Sequence, residues 1–202
     1  MNGFLSEIEL WFDFGSNYSY LSVMRIRAAA ARCGVNVVWQ PFLLGPIFKS
    51  FGWETSPFVL QKEKGAYMWK DMARQCVKYG LPWTRPSVFP RFALLAQRVA
   101  LLGAREPWIG DFCERIMLMN FAEDRDIGSQ DAVTEALERL GLEAGSLLAA
   151  AQTAENKQRL RDQTEAARAR GIFGAPTFFA RGEMFWGNDR LDDALAFAAR
   201  AV

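Results

Sequence analysis

The sequence predicts an α/β fold in which a βαβ unit, a long helical block and a ββα unit follow one another. Three observations predict it. Apolar runs with strand character flank a helical repeat in the opening segment; strand character is then missing from about residue 45 to 170; and it returns in two short runs ahead of a last amphipathic segment.

Residues 7–14, Glu-Ile-Glu-Leu-Trp-Phe-Asp-Phe, begin by alternating polar with apolar and end in aromatics. That is the pattern of a strand that becomes buried on both faces. Gly15 and Ser16 break it. Over 17–33, Leu21, Met24, Ala28 and Ala31 recur at helical spacing, and Gly34 supplies a C-terminal stop. Residues 35–42 resume strand character, so this opening βαβ crossover should be right-handed.

Helical periodicity then runs through segments near 60–79, 91–103, 108–121, 130–140, 143–150 and 154–170. Strands at 177–180 and 183–186 are joined by Arg181-Gly182, and a final helix over about 189–199 carries the stripe Leu191, Ala194, Leu195 and Ala198. The strands on either side of the helical block need one another to complete a sheet. Residues 1–202 therefore read as one domain, with a thioredoxin-like part at about 1–44 and 171–202 and a helical insertion at about 45–170.

Half of the 202 residues are hydrophobic, enough to bury a sizeable core without disulfide or metal staples. Lys and Arg number 24 against 23 Asp and Glu, so no electrostatic footprint invites nucleic acid or an anionic membrane, and neither is expected as a partner. The first residues lack a basic segment followed by a long apolar one, and no later run is long enough to span a bilayer; the expected location is cytoplasmic. The three cysteines, Cys33, Cys76 and Cys113, lie far apart and outside any C-x-x-C pair, which fits a reducing compartment. The chain contains no histidine. That excludes Ser-His-Asp and Cys-His sites and removes the commonest metal ligand, so no metal is expected.

Three stretches join a loop to a regular element: 12–21 around Ser16, 171–178 around Ala175-Pro176, and 185–191 around Trp186-Gly187-Asn188-Asp189. Each has an ordinary local reading. Ser16 caps a helix, Ala175-Pro176 opens a strand in trans, and Asn188 or Asp189 caps the last helix with Asp192 and Asp193 in its first turn.

Taken with Pro41-Phe42-Leu43-Leu44-Gly45, Gly52-Trp53, Pro57-Phe58, Lys64-Gly65, Asp71 and Gly80-Leu81-Pro82, these stretches resemble the 2-hydroxychromene-2-carboxylate isomerases. Those are relatives of the kappa-class glutathione transferases within the DsbA-like thioredoxin fold. Where DsbA-like oxidoreductases carry C-x-x-C, this chain has Ser16-Asn17-Tyr18-Ser19, which rules out dithiol exchange there. The resemblance implies that glutathione brings the thiol and that Ser16, as hydrogen-bond donor, stabilises the thiolate beside a helix N-terminus. It further implies that Ala175, before a cis Pro176, pairs its backbone with the cysteinyl unit, and that Trp186, Gly187, Asn188 and Asp189 hold the γ-glutamyl end. Two positions depart from the family pattern. Most relatives have valine at the position of Ala175 and commonly proline at that of Asn17, where either the loss of proline loosens the Ser16 turn or the asparagine adds a polar contact.

The implied substrate is a small aromatic carboxylate, with Lys49 facing the carboxylate, Thr55 and Ser56 as polar neighbours and Phe89 as an aromatic wall. A solvated surface charge is the other reading of Lys49, and Arg85 and Arg91 are alternative cations. Phe48, Trp53, Phe58, Trp83 and Phe89 read locally as core packing. The implied reaction is glutathione-dependent cis-trans isomerisation of 2-hydroxychromene-2-carboxylate to trans-o-hydroxybenzylidenepyruvate by reversible thiolate addition. A kappa-type transferase or peroxidase, and a redox-inactive binding module, are the alternatives. Resemblance alone suggests a homodimer.

Overall fold

The computed structural model describes residues 6–200. Strand β1 (Ser6–Phe12) lies inside a four-stranded sheet of order β2-β1-β3-β4. Its parallel neighbour β2 (Val35–Pro41) runs in register from Ser6↔Val35 to Phe12↔Pro41. Its antiparallel neighbour β3 (Thr177–Ala180) pairs from Ile8↔Ala180 to Trp11↔Thr177, and β4 (Glu183–Trp186) closes the edge. The two halves of the sequence thus meet in one sheet.

Alternation along β1 and β3 sorts the core onto two faces. Ile8, Leu10 and Phe12 join Phe178 and Ala180 beneath helix α1 (Asn17–Cys33) and the last helix, while Trp11 and Phe179 face Phe42, Ile47, Ala167 and Ile172. Helix α1 starts where Ser16 accepts the Ser19 N–H and stops at Gly34, whose φ of 65° is the left-handed value glycine tolerates.

The insertion comprises α2 (Leu44–Ser50), α3 (Pro57–Leu60), α4 (Lys62–Tyr79), α5 (Leu94–Leu102), α6 (Ile109–Phe121), α7 (Gln130–Glu138), α8 (Ala144–Ala151) and α9 (Ala154–Ala169). Helix α9 brings Ala167 under the second face of the sheet.

Several boundaries are corrected. The strand expected over 7–14 ends at Phe12, because the Asp13 carboxylate takes the Gly15 and Leu44 N–H groups and turns the chain. Helices α2 and α3 were not anticipated, and the run expected from residue 60 breaks at Gln61. The helix expected from residue 91 starts at Leu94, since Arg91 is drawn into a buried polar network. The last helix is a 3-10 turn, Asn188–Arg190, followed by α10 (Leu191–Ala198), and neither Asn188 nor Asp189 caps it with a side chain. The Ala175–Pro176 bond is cis, against its local trans reading, and so is Phe89–Pro90.

Candidate functional site

At the C-terminal ends of β1 and β2, the start of α1 meets the loop before β3, the turn after β4, and helices α2 and α3. They enclose a cleft of about 1010 Å³. That volume lies at the upper end of the range of small-molecule sites, about 300–1,000 Å³.

Ser16, 8% exposed, lies in its wall. Its Oγ–H donates to Ala175 O at 3.0 Å, 159 residues away in sequence, and the same oxygen accepts the Ser19 N–H at 3.2 Å. The turn that carries Ser16 is held from several directions. Asp13 accepts from Gly15 N at 2.7 Å and Leu44 N at 2.9 Å, and Ser16 N–H donates to Asp13 O at 3.0 Å. Asn120 Nδ2 donates to Phe14 O at 3.0 Å, while its Oδ1 accepts from Arg91 at 3.0 Å. The Arg91 guanidinium also donates to Ser87 Oγ and to the Asp124 carboxylate. Gly15 has no room for a side chain, since a Cβ there would sit 2.7 Å from Arg91 O.

Of the residues implied to bind cofactor, Ser16, Asn17, Ala175 and Trp186 through Asp189 all line this cleft. Pro176 does not; it is buried behind Ala175. Asn188 is anchored by two donors on its Oδ1, Ser22 Oγ at 3.2 Å and Arg25 at 3.0 Å. Trp186, 52% exposed, leans on Phe173 with ring centroids 4.8 Å apart. Gly174 makes that possible, because a Cβ on it would lie 2.5 Å from Trp186 Nε1. Asn17 is buried, and its Nδ2 has no acceptor among the described residues.

Lys49, Thr55, Ser56 and Phe89 line the opposite wall. Ser56 also caps α3 by accepting from Phe58 N. Lys49 is exposed and joins no ion pair among the described residues. Arg91 reaches the cleft, but its guanidinium is committed to Asn120, Ser87 and Asp124, so it is not a free cation. Arg85 lies outside, its guanidinium 5.0 Å from the Trp69 ring centroid. Phe48 and Phe58 join Phe89 as apolar lining, whereas Trp83 stacks on Phe121 and Trp53 packs on Phe48 outside the cleft.

A polar wall formed by Tyr18, Lys64, Asp71 and Gln75 went unassigned in the sequence. Tyr18 donates to Asp71 at 2.7 Å, and Gln75 donates to the other carboxylate oxygen at 3.3 Å. Burial, and then the Asp71 hydrogen bond, push the Tyr18 phenol well above its usual range, so it stays protonated. Burial also raises Asp13, against the pull of its two backbone donors. Gln97 is a further missed residue: its Nε2 donates to Phe12 O at 3.1 Å and to Phe42 O, tying the ends of β1 and β2 together under the cleft. The signal for Tyr18 and Asp71 was their place in resembling motifs; Gln97 gave none.

No cysteine lines the cleft; Cys33 is exposed on the far end of α1, and Cys76 and Cys113 are buried. Among the described residues, no group of three potential metal ligands occurs, and no helix is long and apolar enough to cross a membrane.

A profile of the DSBA-like thioredoxin domain matches residues 7–197. The 2-hydroxychromene-2-carboxylate isomerase of Sphingobium xenophagum is 31% identical over 192 residues, covering 92% of this chain and 94% of its own. Glutathione S-transferase kappa 1 of Homo sapiens is 27% identical over 199 residues, covering 92% and 87%. A solved structure of selenomethionine 2-hydroxychromene-2-carboxylate isomerase has the same fold, with a TM-score of 0.83 at 24% identity over 92% of this chain and 90% of that one.

Proposed function

The chain belongs to the DSBA-like thioredoxin family, among the 2-hydroxychromene-2-carboxylate isomerases, and on that premise we propose that it is a glutathione-dependent cis-trans isomerase of an aromatic-degradation intermediate. The proposed reaction converts 2-hydroxychromene-2-carboxylate to trans-o-hydroxybenzylidenepyruvate. One observation carries the reading: a serine hydroxyl at the start of α1, 3.0 Å from the carbonyl of Ala175, in a cleft that offers no thiol of its own.

The residues present fit glutathione. Ser16 and the unpaired N–H groups at the start of α1 suit a thiolate. Ala175 offers main-chain groups, Asp189 a carboxylate for an ammonium, and the cleft is among the roomier ligand sites. Bound there, glutathione would supply a thiolate nucleophile whose reversible addition turns the locked double bond into a rotatable single bond. Ser16 then directs its proton at the sulfur, Lys49 faces the substrate carboxylate, and Phe48, Phe58 and Phe89 sandwich the flat ring and keep water away. Tyr18, held protonated, adds no competing negative charge beside the sulfur.

Glutathione at a hundred times its dissociation constant should stabilise the protein by about 2.7 kcal/mol, read as a rise in Tm. Ser16→Ala should cost only about 1 kcal/mol as a lost cap while lowering turnover roughly tenfold to hundredfold. An unaffected rate would remove Ser16 from the mechanism, and an absence of glutathione binding would favour a redox-inactive binding module. The second reading, a kappa-type transferase or peroxidase, is favoured by the similarity to the kappa glutathione transferases. Product analysis separates it: consumption of glutathione into a conjugate or disulfide, with no isomerised product, would replace the isomerase reading. The three unpaired cysteines support a reducing, cytoplasmic setting; a homodimer remains a proposal from family resemblance.

A further inference from the structure

Within the chain, the single proton of the Ser16 hydroxyl is already given away. It is donated to Ala175 O, and Oγ in turn accepts the Ser19 N–H. A hydroxyl has one proton to donate. With that proton directed at Ala175 O, the Ser16 oxygen can offer an incoming sulfur only lone pairs, the wrong polarity to stabilise a thiolate.

The acceptor is distinctive as well. Pairing of β1 with β3 stops at Trp11↔Thr177, and pairing of β3 with β4 stops at Thr177↔Trp186, so both ladders end before Ala175. Its carbonyl takes only the Ser16 proton, and its N–H has no acceptor among the described residues. Ala175 lines the cleft. A residue with a free N–H and a half-used C=O beside a strand end complements one residue of an antiparallel peptide, which brings its own N–H and C=O.

We infer that Ala175 O, on accepting the peptide N–H of an acylated cysteine, frees the Ser16 hydroxyl to turn its hydrogen bond onto that cysteine's thiolate, the thiol proton passing to solvent, so that the site activates a thiol only when it is carried on a peptide backbone. The inference rests on the glutathione reading above and adds its recognition rule. Ala175 O exchanges an O–H donor for an N–H donor, Ser16 gains a charge-assisted bond to sulfur, and Ser19 N–H stays on Oγ. No polar group is orphaned. A thiol without an adjacent N–H forces a choice: Ser16 leaves Ala175 O unpaired, or it leaves the sulfur without its hydroxyl donor.

The test is a pH titration of thiolate ultraviolet absorbance for two saturating ligands on the intact protein, in wild type and Ser16→Ala. One ligand is glutathione; the other is its depsipeptide, with an ester oxygen in place of the cysteinyl N–H. Each bound thiol is compared with its own value in free solution. Glutathione should be acidified by the wild type, and Ser16→Ala should leave roughly tenfold to hundredfold less thiolate at a pH where both forms are present. The depsipeptide should titrate alike on wild type and Ser16→Ala. Equal acidification of both ligands by the wild type, with equal sensitivity to Ser16→Ala, would overturn this inference and leave the glutathione reading standing. A depsipeptide that never binds would assign the N–H to affinity alone and also overturn it. Glutathione that does not bind, or binds with its thiol unchanged, would remove the proposed function and this inference together.

Discussion

Gly15→Ala adds a methyl group where the turn carrying Ser16 has no space. An ideal Cβ falls 2.7 Å from Arg91 O, 3.2 Å from Asp13 Oδ1 and 3.6 Å from Pro90 Cβ. The nearest atom is backbone, and Arg91 cannot retreat easily, because its side chain is fixed to Asn120, Ser87 and Asp124. Relief must come from the turn itself. Overpacking of this kind costs about 1–3 kcal/mol, while the stiffer unfolded chain of alanine returns about 0.4–1 kcal/mol. The net loss of about 1–2 kcal/mol should lower Tm by roughly 2–8 °C in a chain of this size. Activity should suffer more than stability. Moving the Ser16 hydroxyl by a few tenths of an ångström disturbs both its contacts, and kcat should drop about tenfold with the substrate KM nearly unchanged. Differential scanning fluorimetry beside steady-state kinetics reads both effects. A variant with unchanged Tm and full kcat would refute the rigid support of the turn by Arg91.

Asn17→Pro should stabilise the protein. Ser16 already has the extended backbone (φ −86°, ψ 117°) that precedes proline, and position 17 is the first residue of α1, so Tm should rise by roughly 1–4 °C; a fall would show that the Asn17 amide has a partner. Glu135 is held down at about 2, first by its hydrogen bond from Arg125 and then by Arg115. A lowered carboxylate contributes stability above its ordinary 4.5 and loses it as pH falls through its folded value. Glu135→Gln should therefore lower Tm at neutral pH and leave it unchanged near pH 2, whereas an equal difference at both would contradict the ion-pair account. Burial pushes the Cys76 thiol up to about 11 and raises Cys113 well above its usual range, while Cys33 is exposed. A thiol reagent at mild alkaline pH should modify Cys33 promptly and the other two only in denaturant; fast reaction at Cys76 would mean that α4 opens readily.

The strands and most helices were legible because their signals are local. Alternation in 7–14, the stripe of Leu191, Ala194, Leu195 and Ala198, and the Gly34 stop are all periodicities or terminators read within one element. Helix α2 was not, because Gly45 and Pro46 occupy its first turn and Leu43 gives no capping side chain, so its start reads as loop. The delayed start of α5 depends on Arg91 reaching Asn120 and Asp124, about thirty residues on, for which no local pattern exists. The candidate site divides the same way. Ser16 was legible as a cap and, through resemblance, as a thiolate stabiliser; its bond to Ala175 needed the sheet that brings the two together. Arg91 looked like a free cation because a sequence cannot show which charges are already satisfied.

The account is tested most directly by following 2-hydroxychromene-2-carboxylate with the purified protein in the presence and absence of glutathione. The expected result is conversion to the trans alkene only when glutathione is present, with the glutathione recovered unchanged and the rate lowered by Ser16→Ala. Full conversion without any added thiol, or none with it, would contradict the assignment of Ser16 and Ala175 to a glutathione-dependent isomerase.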